Sequence, residues 1–385
     1  MVSFEALRGY LLEEVLARLL QDNGYRLLVS VKQDPDALKR GRHGLLVRGR
    51  GSDHQADVLG ELTLPTPFSL PLRVFVEAKY RGQKVGLRDA RNAHGVVHDV
   101  NEQYATAHAG SRRVPVRRHL YRYALFSTSG FSLPAQQYAL AQQIFLVDLS
   151  GPAFSNLTEA TDRAARRLVQ LLSETDVPFP RGQVRTALRI SLGTWTDDGS
   201  SEDGGPPTES SSSVLHQSSP VRRVGPDESI RRNPAHAEKR ALPPERLMSV
   251  ADTLASEIVG SLLLGFPTSP FILVLRPDNL PAFAAYVIDH PIEVLVDIRF
   301  ATARNASGDW VIVPADGSER FALRFSLPTL LASWLLEDET AVAMRARDVK
   351  AGLLSSIFVF HDARLVRLTF RPRRHTDPAQ STSAW

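Results

Sequence analysis

Cysteine is absent from all 385 residues, which excludes disulfides, thiolate zinc sites and cysteine nucleophiles together. Long apolar runs are absent too. The longest, around Leu330–Leu336, soon reaches Glu337 and Asp338, well short of the ~18 residues that span a bilayer. The opening Met1-Val2-Ser3-Phe4-Glu5 lacks the basic stretch and apolar core of a secretory signal. The expectation is a cytoplasmic protein with no membrane partner. There is no G-x-x-x-x-G-K-[ST] loop, so the chain brings no ATP motor of its own. No G-x-S-x-G elbow accompanies Ser127-Thr128-Ser129-Gly130, which reads as a strand-to-helix turn rather than a hydroxyl nucleophile.

What is present is a globular composition, 43% hydrophobic and 23% charged, over a length that suggests two domains. The net charge of +4 is unevenly spread. Residues 1–190 hold 26 Lys and Arg against 18 Asp and Glu, so the remainder is acidic. The basic excess suits a polyanionic partner, though an excess of this size is also ordinary variation. From 194 to 245 the chain turns to Ser, Gly, Pro, Asp and Arg, with a serine run at Ser210–Ser213. Such a stretch cannot bury apolar surface and reads as a disordered linker. It separates a domain over residues 1–178 from a smaller α+β domain over 246–373.

Leu7, Leu11, Leu12, Val15, Leu16 and Leu19 recur at helical spacing, and Asn23-Gly24 supplies a stop, predicting a helix over 4–22. Extended runs follow at Arg26–Val31, Gly44–Val47, Ala56–Leu62 and Leu72–Tyr80, then a helix over 86–107. Strands at Tyr121–Ser127 and Ile144–Leu149 bracket a helix from Pro134 to Gln142, and a helix over Leu157–Leu172 closes the segment. This order predicts an α/β domain, a mixed sheet with helices on both faces. The second domain is expected to hold helices at Val250–Leu263 and Leu327–Leu336. Its expected strands are Phe271–Leu275, Ile292–Phe300, Trp310–Val313, Phe321–Phe325, Ile357–His361 and Leu365–Phe370.

The chemistry concentrates in Arg48-Gly-Arg-Gly-Ser-Asp-His-Gln-Ala-Asp57 and in Val74-Phe-Val-Glu77-Ala78-Lys79. Residues two apart on a strand share a face, so Glu77 and Lys79 project together, and a neighbouring strand could bring Asp57 alongside. Two converging carboxylates offer hard oxygen donors suited to Mg²⁺. A lysine beside them can orient or help deprotonate an attacking water. Lewis acid, water and positive charge are the parts that phosphodiester hydrolysis needs. A lone Glu-x-Lys is common on solvated strands, but a charged pair directly after a buried apolar run is costly unless paired or liganded.

These blocks resemble the Mrr-like restriction endonucleases of the PD-(D/E)xK nuclease superfamily. Gly9-x-x-x-Glu13 with Leu19-Leu20 and Gly24-Tyr25 looks like the family's opening helix. The turn ending in Asp57 looks like its metal-binding aspartate, and Glu77-Ala78-Lys79 like its (E/Q)xK. Ala124-Leu-Phe-Ser-Thr-Ser-Gly-Phe-Ser with Ala135, Ala139 and Ile144–Asp148 looks like its downstream strand–helix–strand block. The resemblance spans about residues 7–150. It implies a restriction-endonuclease-like fold and a DNA-cutting, genome-defence activity with Mg²⁺, for which Mn²⁺ can substitute. Asp57, Glu77 and the backbone carbonyl of Ala78 would hold the metal, Lys79 would position the water, and Glu13 would support them. A homodimer is a further expectation, because cutting both strands of a duplex commonly calls for two active sites. A nuclease-like module that binds nucleic acid or protein without cutting is the alternative.

Some assignments stay open at this level. Asp53 rivals Asp57, which is preferred for its place directly before Val58-Leu59; Asp53 then caps the turn or assists it. Glu5 and Glu14 rival Glu13 on the same helix. Arg48, Arg50 and Arg81 flank the chemistry and are the expected nucleic-acid contacts. Arg112, Arg113, Arg117 and Arg118 read equally as phosphate contacts or a solvated loop. His94 and His98 have a metal-ligand spacing without a third ligand motif. The C-terminal domain offers no chemical motif: Asp362 and Arg364 read as hairpin residues, and its role is sensing a partner or signal, targeting or oligomerisation by arrangement only.

Overall fold

The computed structural model describes residues 3–41, 44–63, 70–109, 112–116, 118–151, 154–175, 179–194, 242–258, 262–269, 271–300, 310–338, 340–362 and 364–371. The expected linker, apart from its two ends, lies outside the described residues, as does Arg117.

Helix α1 (Phe4–Asp22) starts where Ser3 Oγ accepts from the Ala6 N–H at 3.1 Å, the bond a serine cap supplies to an orphan donor. Leu7, Leu11, Leu12, Val15 and Leu16 on it are buried. It stops at Asn23-Gly24, as the spacing suggests, and the stop has a second purpose. Asn23 is fully buried, donating to the Leu19 carbonyl at 2.7 Å and accepting from the Leu264 N–H at 2.6 Å. Gly24, at φ +81°, lies so close to Phe360 that a Cβ there would stand 1.9 Å from its ring. The end of α1 is therefore one of the places where the two halves of the chain touch.

Strands β1 (Arg26–Leu27), β2 (Leu38–Gly41), β3 (Gly44–Arg48), β4 (Asp53–Gln55), β5 (Val58–Leu62) and β6 (Leu72–Lys79) follow, then α2 (Leu87–Asn101). A hairpin of β7 (Ala105–Ala109) and β8 (Arg112–Val116) leads into β9 (Leu120–Ser127), α3 (Leu133–Ala141), β10 (Phe145–Asp148), α4 (Ser155–Thr175) and α5 (Arg181–Leu192). The main sheet runs β1-β5-β6-β9-β10. Strand β5 is antiparallel to β1 and β6, while β6, β9 and β10 are parallel, so this is a mixed α/β sheet. Val74 and Val76 of β6 join a core with α1 and α4, and Phe75 between them joins one with α2 and α3. Helices cover both faces, which is why the strand reads as an unbroken apolar run. Strands β2, β3 and β4 form a small separate sheet.

Two boundaries differ from expectation for identifiable reasons. The extended run over Arg26–Val31 pairs for only two residues. Gln33 Oε1 accepts from the Val29 and Ser30 N–H groups at 2.7 and 2.9 Å, diverting them from a ladder into a short 3-10 turn at Val31–Gln33. The helix expected over 86–107 ends at Asn101, whose amide donates to the Tyr121 carbonyl and accepts from its N–H. Residues Ala105–Ala109 then form β7.

The second half comprises α6 (Pro244–Ile258), β11 (Leu263–Pro267), β12 (Leu273–Pro277), α7 (Leu280–Asp289), β13 (Glu293–Phe300), β14 (Trp310–Pro314), β15 (Leu323–Phe325), α8 (Thr329–Leu336), α9 (Val342–Gly352), β16 (Ser356–His361) and β17 (Arg364–Phe370). Its strands close into a barrel ordered β11-β12-β15-β14-β13-β17-β16. The helix expected from Val250 starts earlier, with Pro244 at its first position, and its described part ends at Ile258; Leu263, expected as its last residue, opens β11. Helices α5, α7 and α9 have no counterpart in the expected pattern. Leu247, Val250 and Leu254 of α6 are buried in the core that also holds α1, α4 and α5. Among the described residues no helix is long and apolar enough to cross a membrane.

Candidate active site

The register of the β5–β6 pair places the candidate residues. Val58 sits opposite Val76, so Asp57, one residue earlier, meets the end of β6 beside Glu77 and Ala78. The Ala78 N–H donates to Asp57 Oδ2 at 3.0 Å. Glu77 and Lys79 share the Phe75 face of β6, and the Lys79 ammonium is ion-paired with Glu77 Oε1. Tyr123, whose ring stacks on Phe75 with centroids 5.6 Å apart, donates its hydroxyl to Glu77 Oε2 at 2.8 Å. Both oxygens of Glu77 are thus engaged, one by a cation and one by a buried phenol. Sequence reading missed Tyr123, although the alternation of Tyr121 and Tyr123 on a strand parallel to β6 is the signal that could have found it.

A cavity of about 450 Å³ opens beside this cluster, with Glu13 and Asp57 on one side. Glu77 and Lys79 are not part of its wall and stand on the strand next to Asp57. Asp57 is reached by solvent through the cavity, yet the protein around its carboxyl raises its pKa. The Glu77 charge adds to the rise, and the Ala78 N–H and Lys79 oppose it. Burial pushes Glu13 up to about 8, with the Asp57 charge as the next contribution. The rivals of these two residues are differently placed. Asp53 bonds Lys39 at 2.6 Å, and that bond holds its carboxyl below the usual range. Glu14 is buried between Arg185 and Arg189 at 3.0 and 3.2 Å, and Glu5 is exposed in the first turn of α1.

The expected nucleic-acid contacts are scattered. Arg48 lines a separate small recess with Arg118, His119 and Tyr121. Arg50 lies 4.0 Å from Glu102 and Arg81 pairs with Asp89 at 3.2 Å; neither lines the cavity. The glycine-rich turn carrying Arg48 and Arg50 packs onto Asp99 of α2, which accepts from the Gly51 and Ser52 N–H groups. A Cβ on Gly49 would lie 2.0 Å from that carboxylate. Arg118 reaches Asp36 at 3.0 Å and Asp34 at 3.3 Å. His94 bonds the Tyr138 hydroxyl at 2.8 Å. The basic side chains that do line the cavity are Lys32, Arg40 and three arginines of α5.

Among the described residues no group of three or more His, Asp or Glu side chains closes a metal cage. The donors at the end of β6 are two carboxylates and the adjacent peptide backbone, all hard oxygens. That set fits Mg²⁺, which is held by one or two carboxylates and keeps water and phosphate ligands, and does not fit a closed zinc site.

The Glu13 shift has a consequence for stability. A carboxyl whose folded pKa exceeds its unfolded value stabilises the fold below about 4.5, and that contribution is lost as pH rises through about 8. Glu13→Gln removes the loss. Its unfolding free energy from urea titration is expected to match wild type near pH 4 and to exceed it at pH 9 in EDTA by on the order of 3 kcal/mol. Parallel pH profiles for the two proteins would contradict this.

No protein-family model matches the chain, and no curated protein matches it. Among solved structures, the crystal structure of a protein of unknown function, AF1548, is similar at 18% identity. The match covers 40% of this chain and 78% of that one, with a TM-score of 0.25.

Proposed function

We propose that this chain is a Mg²⁺-dependent endonuclease that hydrolyses DNA phosphodiester bonds in genome defence, with a restriction-endonuclease-like body in its first half. One observation carries the reading: Asp57 and the Glu77-Ala78-Lys79 strand end meet on one face of two paired strands, beside a cavity. The five-stranded mixed sheet, with α1 against one face and α2 and α3 against the other, supports it.

Asp57, Glu77 and the Ala78 carbonyl would hold the cation. Bound there, Mg²⁺ supplies Lewis acidity toward a phosphate oxygen and a more acidic water. The protein's own groups do the rest. Tyr123 fixes one oxygen of Glu77, and the Ala78 N–H fixes one of Asp57, so both carboxylates are oriented before substrate arrives. Lys79 places a positive charge where an attacking water and a phosphate would meet, which stabilises negative charge developing on the phosphate.

A second reading has a specific observation in its favour. Lys79 and Tyr123 already satisfy Glu77, as suits a module that binds nucleic acid without cutting it. Incubating the protein with plain and methylated plasmid DNA, in Mg²⁺ or in EDTA, separates the two. The nuclease reading expects cleavage in Mg²⁺ alone. Intact plasmid in Mg²⁺ and in Mn²⁺, with DNA still bound, would leave the binding module.

A further inference from the structure

The cavity beside Asp57 holds more positive charge than the catalytic cluster uses. Arg181, Arg185 and Arg189 recur every four residues on α5, so they share one helix face, and all three line the cavity. From first to last they extend about 12 Å along the helix, longer than a single phosphate group. Arg185 and Arg189 are braced by Glu14. Arg181 is exposed at the start of α5, its guanidinium 5.2 Å from the centre of the Tyr10 ring. Lys32 and Arg40, also exposed, line the same space from the β2 side. Five cations face Glu13, Glu14 and Asp57, so the wall is net positive.

A buried hydroxyl points to a ligand independently. Thr194 also lines the cavity and is 2% exposed, and its Oγ1 has no hydrogen-bond partner among the described residues. A buried polar atom left unmatched is costly, and an acceptor brought in by a ligand would relieve it.

We propose that this cavity is the docking site for the sugar–phosphate backbone of one nucleic-acid strand, with Lys32, Arg40 and Arg181 on its phosphates and Thr194 bonding it. The inference rests on the nuclease reading, because Asp57 forms one side of the cavity. It replaces Arg48, Arg50 and Arg81 as the binding set, and α5 lies beyond the block that resembles known nucleases. The length of the arginine row favours a strand over a free nucleotide.

The test is fluorescence anisotropy of a labelled single-stranded oligodeoxynucleotide in EDTA across a salt series, with the full chain. Lys32→Ala/Arg181→Ala is expected to weaken binding about tenfold and to lower the salt slope by about 1.4, roughly 0.7 for each phosphate of a single strand no longer neutralised. Arg48→Ala/Arg50→Ala should bind as wild type. Thr194→Val is expected to weaken binding severalfold while its melting temperature holds or rises, which a purely structural hydroxyl would not do. Equal affinity and slope in wild type and the Lys32/Arg181 variant would overturn the proposal, as would displacement of the oligonucleotide by an equimolar nucleoside triphosphate. If the wild type cuts DNA while that variant binds and cuts equally well, the inference fails and the nuclease reading survives. If the wild type neither cuts nor binds, both fail.

Discussion

Lys79→Ala is expected to lower Mg²⁺-dependent cleavage by roughly a hundred- to a thousandfold, the scale of removing one preorganised charge-stabilising group, with the fold intact. The fold survives because β6 is held by its backbone and by Val74, Phe75 and Val76, all buried, rather than by its terminal side chain. The Thr128 N–H bond to the Lys79 carbonyl is likewise indifferent to the side chain. Glu77 keeps its bond to Tyr123 in the variant, so the carboxylate stays oriented and only the ammonium is removed. Asp57→Asn is the companion: its amide oxygen still accepts from Ala78, but its negative charge is gone. A plasmid assay at matched protein concentration reads both, and a melting curve confirms the fold. Wild-type cleavage by either variant would sink the assignment of the site.

The second large effect is on stability. Arg73 lies in the middle of the sheet and is 1% exposed. The register explains how a guanidinium can be there: Arg26 faces Glu61, Glu61 faces Arg73 and Arg73 faces Tyr121 across four neighbouring strands. Arg73 reaches Glu61 at 2.8 Å, Asp34 at 2.6 Å and the Tyr121 hydroxyl at 3.0 Å. Arg73→Met leaves Asp34 and Glu61 buried with the half-exposed Arg118 and Arg26, and a neutral His119, near them. The expected cost is about 3–5 kcal/mol at pH 7, the range for breaking a buried ion pair by removing one partner. Replacing Arg73, Asp34 and Glu61 together by apolar residues should recover most of it, because the uncompensated charges then disappear.

Acid narrows the deficit, and the sign follows from the carboxyls. Burial pushes Asp34 and Glu61 up, but the hydrogen bonds and charge of Arg73 outweigh it and hold both below their ordinary values. Depressed carboxylates stabilise the fold above their unfolded pKa values, near 4, and that contribution is lost as pH falls through the folded ones. His119 beside them is pushed down to about 4 by burial and then by Arg73. It is therefore neutral at pH 7 in the wild type and freer to take up a proton once Arg73 is gone. Urea unfolding at pH 7 and pH 3 should show the Arg73→Met deficit shrinking toward acid. A deficit that does not change with pH would mean that Arg73 acts by packing rather than charge.

Which parts of this were legible follows from how local each signal is. The leucine spacing of α1 and its Asn23-Gly24 stop, and the apolar runs of β6 and β9, were all readable because periodicity and end signals lie within one segment. So was the shared face of Glu77 and Lys79, which follows from the two-residue repeat of any strand. The same locality explains the misses. In α5, Arg181–Leu192, only Val184, Ala187, Leu188 and Leu192 are buried among polar residues, and in α7 the near-continuous apolar run Leu280–Asp289 hides its helical period. Arg48 and Arg50 stood close to Asp57 in sequence, but the turn that carries them is tied to α2 instead.

By itself, the sequence determined the elements whose period and end signals are local, their alternation in the first half, and the residue types able to do hydrolytic chemistry. Tertiary structure decided what faces what. It set Asp57 against Ala78, bonded Tyr123 to Glu77, stacked Arg26, Glu61, Arg73 and Tyr121 across four strands, and brought the arginines of α5 to the cavity beside Asp57. It also closed the seven-stranded barrel and buried α6 against α4 and α5. The physical reason is that strand register and helix docking are fixed by contacts between residues far apart in the chain, and a one-residue slip would turn every side chain of a strand to its opposite face.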